Sequence, residues 1–167
     1  MDFYESVVFE YLRADRATFV NTECCVQVNE ADNPDQSEPH WYCDAVVANF
    51  REQAVFLCEI SFSEALSGLY SRLQGWNENW PLVCSALVRD SKLPRTWPVR
   101  PWLFVPEDLV SKLVKRVAKL QGEQQQAQTI PDPRITTLEM VQPWRYRSWN
   151  RKGEAQKPGS IPGRMQK

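Results

Sequence analysis

The chain has a single histidine, His40, too few for a histidine dyad or a multi-histidine metal centre. It has no run of about 18 apolar residues, so no segment reads as a membrane span. Its first residues include Asp2 and Glu5 and lack the basic-then-apolar order of a signal peptide. The chain therefore reads as cytoplasmic, with no membrane partner. The five cysteines (Cys24, Cys25, Cys43, Cys58 and Cys84) contain no C-x-x-C spacing, which excludes the usual structural zinc pattern. An odd number of thiols in apolar, strand-like segments reads as buried cysteine rather than a disulfide framework.

What is present fits one globular domain. A chain of 167 residues can bury about 70% of its unfolded surface and needs no covalent staples. The net charge of −1 hides a gradient: residues 1–64 carry 13 acids and 3 bases, whereas residues 143–167 carry 1 acid and 7 bases. The chain divides into an α/β domain over residues 1–120, a linker and return segment over 121–142, and a basic tail over 143–167. That tail reads as a solvated, disordered end, as an electrostatic handle for a polyanion, or as both at once.

Periodicity places the elements. Phe3, Val7, Val8, Tyr11 and Leu12 repeat at three- and four-residue steps, predicting a helix over 3–13. Residues 18–28 read as a strand, and the acidic stretch 29–39, with two prolines, reads as a loop. WYCDAVVANF (41–50) and VFLCEISF (55–62) form a hairpin joined by residues 51–54. Both runs are apolar on both faces, as in a sheet covered on each side. A helix is predicted over 64–80, with Ser63 as N-cap and Pro81 as its end. LVCSALV (82–88) reads as a buried strand. VRPWLFV (99–105) reads as a second short strand, whose nearby prolines favour a sheet edge or a flanking position. A last helix runs from 106 to about 120, residues 121–129 read as a linker or a frayed helix end, and residues 135–141 return to the body.

Acids are rarely tolerated in central strands, and Asp44 and Glu59 are the exceptions here. If residues 51–54 make an even-membered turn, the two lie on one face, opposite each other for a two-residue loop and diagonal for a four-residue loop. Two carboxylates so placed repel each other and lose solvation, so either one binds a proton or a cation sits between them. A hard divalent ion suits such a pair. Alternatively, Asp44 is satisfied by backbone or solvent and Glu59 pairs with an arginine such as Arg72 or Arg89.

The order helix, strand, strand hairpin, helix, strand over residues 3–90 resembles the PD-(D/E)XK, or restriction-endonuclease-like, superfamily. The resemblance implies a central mixed sheet flanked by helices in the order α-β-β-β-α-β. It also implies Mg²⁺ or Mn²⁺ held by Asp44 and Glu59; on coordination chemistry alone the Ile60 carbonyl is a reasonable third oxygen ligand. Asp44 stands in Cys43-Asp44-Ala45 without the motif's proline. Ser61, in Glu59-Ile60-Ser61, stands where the motif has its catalytic lysine. A first-helix glutamate can extend the site in this superfamily, which makes Glu10 the first candidate and Glu5 the second. A substitute cation could come from Arg72, Arg89 or Lys92.

Lys112, Lys115, Arg116 and Lys119 line one side of the last helix, either as a phosphate strip or as an ordinary wet face. In the tail, Trp144, Tyr146 and Trp149 alternate with Arg145, Arg147, Arg151 and Lys152. That pattern suits single-stranded nucleic acid, and it equally suits docking onto the domain. The expected function is metal-dependent hydrolysis of DNA phosphodiesters, by a site either complete or degenerate. The alternatives are a silent module of the same fold that binds nucleic acid or protein, and a plain interaction protein. A homodimer remains open.

Overall fold

Helix α1 (Phe3–Arg13) begins on a reciprocal cap: Asp2 accepts from the Glu5 amide, and Glu5 accepts from that of Asp2. After it come β1 (Thr18–Gln27), β2 (His40–Asn49), β3 (Ala54–Ile60), α2 (Ser67–Glu78), α3 (Trp80–Ser91) and β4 (Val99–Val105). A 3-10 turn at Glu107–Leu109, α4 (Val110–Glu123) and β5 (Arg134–Thr137) complete the order. This is a computed structural model, and it describes residues 2–28, 40–123 and 129–146. The five strands form one mixed sheet in chain order, antiparallel from β1 to β3 and parallel from β3 to β5.

Both faces of the sheet are covered, which is why β3 is buried from Ala54 through Glu59. On one face Val8, Phe9, Tyr11 and Leu12 of α1 pack against Ala45, Val47, Phe56, Trp102 and Phe104. On the other face α2, α3 and α4 supply Leu69, Leu73, Trp76, Val83, Leu113 and Val117 against Leu57, Leu103 and Ile135. Each such large side chain contributes about 1.5–3 kcal/mol on burial. No helix among the described residues is long and apolar enough to cross a membrane.

Four expectations need correction. Residues 82–88 are helical, within α3, where Val83, Ala86 and Leu87 form the buried side. Pro81 lies in the first turn of α3 rather than stopping the preceding helix, a position where its missing N–H costs nothing. Helix α2 starts at Ser67 behind a left-handed Leu66 with no side-chain cap, so Ser63 does not cap it. Finally, β4 is an inner strand between β3 and β5. It tolerates Pro101 because the β5 ladder begins only at Trp102↔Arg134. Residues 29–39, expected as a loop, residues 124–128 and residues 147–167 lie outside the described residues.

Candidate functional site

The β2–β3 register decides where the two acids stand. Asn49 accepts from the amides of Arg51 and Glu52, both at 3.0 Å, and Gln53 takes a left-handed φ of 52°. Those constraints make residues 50–53 a four-residue turn, one position earlier than expected. The ladder then runs from Asn49↔Ala54 to Ala45↔Cys58. Continuing that register places Asp44 directly opposite Glu59, not diagonal to it.

Beyond Ala45↔Cys58 the paired positions end, and the carboxylates themselves bridge the strands. Oδ2 of Asp44 accepts from the Ile60 amide at 2.7 Å, and the backbone of Asp44 in turn hydrogen-bonds Glu59. Arg72 reaches down from α2, and its Nη1 lies 2.8 Å from each Glu59 oxygen. The Glu59 side chain is 6% exposed and that of Arg72 34%.

Electrostatics follow from that burial. Loss of solvation first, and then the charge of Asp44, push Glu59 up to about 8, while Arg72 works in the opposite direction. Asp44 is also raised, chiefly by burial. The Ile60 amide and Arg72 lower it, and Glu5 and Asp2 add to the rise. The first turn of α1 therefore bears electrostatically on this pair of strands.

The other candidates scatter. Glu10 forms a surface pair with Arg13 at 3.5 Å, its side chain 71% exposed, so the first-helix acid that bears on Asp44 is Glu5, with Asp2 beside it. The D-x-x-E spacing of their capping box was the available signal. The Ser61 amide donates to the Phe104 carbonyl at 2.9 Å and extends the β3–β4 pairing. Arg89 binds Asp90 and the carbonyls of Gln27 and Val28, and Lys92 is exposed at the end of α3. On α4, Lys112 and Arg116 donate to the carbonyls of Glu64 and Ala65 at 2.6 and 2.7 Å. Lys119 pairs with Glu123 at 3.5 Å, and Lys115 is exposed. Arg145 is exposed beside Trp144, while Tyr146 packs edge-on against Tyr11 at 5.0 Å. Arg147, Arg151 and Lys152 lie outside the described residues.

Two carboxylates with water in the remaining positions are a donor set that Mg²⁺ accepts. Oδ1 of Asp44 makes no hydrogen bond among the described residues, so it is available to an ion. Both Glu59 oxygens are engaged by Arg72, and an ion would have to displace that contact. No group of three or more His, Cys, Asp or Glu side chains is placed to hold a metal among the described residues, so the pair would share its ion with water or with the Ile60 carbonyl. Comparison with protein-family models, with curated proteins and with solved structures found no match.

Proposed function

We propose that this chain is a divalent-metal-dependent phosphodiesterase of the PD-(D/E)XK type that acts on DNA, with Arg72 in place of the missing lysine. The observation that carries the proposal is the placement of Asp44 opposite Glu59 at the end of a buried ladder. Two acids there have no packing role that an apolar pair would not fill better. The antiparallel β1–β2–β3 unit, followed by helices and a strand parallel to β3, agrees with a restriction-endonuclease-like core.

In this reading Asp44, Glu59 and the Ile60 carbonyl hold Mg²⁺ or Mn²⁺. When bound, the ion supplies a Lewis acid for a phosphate oxygen and lowers the pKa of a water. Glu59 gives up its proton on loading. Arg72, released from Glu59, orients the phosphate and balances the charge that builds on it. Neutral Ser61 cannot do this. Removing an electrostatic interaction of that kind costs on the order of 2.7–4 kcal/mol in the transition state.

One observation favours a second reading. Arg72 already contacts both Glu59 oxygens and supplies the compensation that an ion would bring, as in a silent module that only binds nucleic acid or protein. Calorimetric titration with Mn²⁺, followed by cleavage of plasmid and single-stranded DNA, separates the two. The proposal expects heat and nicking in the wild type, both lost in Glu59→Ala, and a rate drop of about 100-fold or more in Arg72→Ala. Absence of ion binding by the wild type would leave the silent module.

A further inference from the structure

The β1–β2 register places Cys24 directly opposite Cys43. Both strands change faces between Thr22 and Cys24. Val20, Ala45 and Val47 belong to the α1 side, whereas Cys24, Val26, Trp41 and Cys43 belong to the side of α2, α3 and α4. Glu23 absorbs the change with a left-handed φ of 53°, a conformation costly for a residue with a side chain. The two thiols therefore point to one side of the sheet. The Cys43 thiol donates to the Cys24 carbonyl at 3.4 Å. Facing residues of an antiparallel pair have Cα atoms about 4.5–5.5 Å apart, within the roughly 4.4–6.8 Å that a disulfide spans.

The other thiols are set apart. Cys58 is fully buried in the opposite core, and Cys84 sits on α3. Cys25 is next in sequence to Cys24 but pairs with Tyr42. Cys24 is half-buried, while Cys43 is 1% exposed. The facing Cys43 thiol lowers the Cys24 thiol to about 7, against burial and the charge of Asp90. Burial pushes Cys25 and Cys84 the other way.

We infer that Cys24 and Cys43 form a thiol-oxidation site, at which a small hydroperoxide converts the facing pair into a cross-strand disulfide. The Cys24 sulfur attacks one peroxide oxygen, the O–O bond breaks, and the departing oxygen leaves as water or alcohol with the thiol proton. The Cys43 sulfur then attacks the sulfenic sulfur of Cys24. That S–O bond breaks, and the hydroxide takes the Cys43 proton and leaves as water. The two thiols give up two electrons, and the peroxide accepts them. The bond would tie β1 to β2 one residue from Asp44, where Glu23 and Asp44 are the unpaired step of the ladder. This inference does not depend on the nuclease reading.

The experiment treats the full chain with limiting hydrogen peroxide near neutral pH, alkylates it, and maps it by mass spectrometry after cleavage at glutamate. Trypsin is unsuitable because no Lys or Arg lies between Arg16 and Arg51. The expected result is a loss of about 2 Da and of two of the five thiols, in a peptide pair joining residues 24 and 43, restored by dithiothreitol. Cys25→Ser and Cys84→Ser should oxidise like the wild type, and Cys24→Ser should form no such link. A bond from Cys24 to Cys25 or to a second chain, or Cys24 oxidised to the sulfinate beside an intact Cys43 thiol, would overturn the proposal. Mapping of the wild type decides this even if a variant fails to fold.

Discussion

Glu59 is 4% exposed, faces Asp44, and is touched by one guanidinium. Its pKa of about 8, against 4.5 for the free side chain, makes it a stability switch. Between those values the unfolded chain has released the proton that the folded chain still holds. Rising pH then favours unfolding. The contribution is complete below about pH 4.5 and is lost as pH climbs through 8. Asp44, raised as well, works in the same direction. Urea unfolding at pH 5 and pH 8 should show the wild type losing on the order of a few kcal/mol over that span, and Glu59→Gln losing clearly less. Equal losses in the two proteins would mean that Glu59 is ionised throughout by Arg72. The same proton gives a test of ion binding. At pH 7 Glu59 holds most of its proton, and a divalent ion needs the carboxylate, so loading should release up to about one proton. Titration heats should then vary with the ionisation enthalpy of the buffer, and buffer-independent heats would exclude Glu59 as a ligand.

At the level of elements, α2 is seated on β2 through a glycine. A Cβ on Gly75 would stand 2.8 Å from Nε1 of Trp41 and 3.3 Å from its Cε2. In an open helix Gly→Ala gains about 1 kcal/mol, but here the methyl group must displace an indole packed against the core. Overpacking typically costs about 1–3 kcal/mol, so Gly75→Ala should lower the urea midpoint at an unchanged slope. A raised midpoint would show that Trp41 swings aside freely. Such close approaches also mark where reading the chain alone succeeds and fails. The hairpin is legible because two apolar runs bracket a polar turn, yet its register depends on Asn49 binding two amides, which shifts the turn by one residue. LVCSALV defeats the same reading because a seven-residue apolar run has no period that separates a covered strand from a buried helix. Its burial at Val83, Ala86 and Leu87 is helical only once α3 is known to lie against the sheet.

Across the whole molecule, the two acids are legible because charge is conspicuous in strands covered on both sides. The choice of Arg72 over Arg89 as partner is not, since it depends on which helix crosses β3. The charge gradient is equally visible, and it leads to a test that the fold refines. Tyr146 packs against Tyr11 and the α1 core, so a cut at Pro143 removes a piece of the body along with the tail. A cut after Tyr146 removes six basic residues, Arg147, Arg151 and Lys152 among them, and one acid, while sparing that packing. If those bases meet phosphates, the shorter deletion should weaken DNA binding. It should also flatten the dependence of log K on log salt by about 0.9 for each phosphate no longer neutralised. The cut at Pro143 should lower the unfolding midpoint as well as affinity, because it takes Tyr146 out of the α1 core. An unchanged salt slope after the shorter deletion would exclude these bases as phosphate ligands and leave Lys112, Lys115, Arg116 and Lys119 on α4 as the candidate cationic surface.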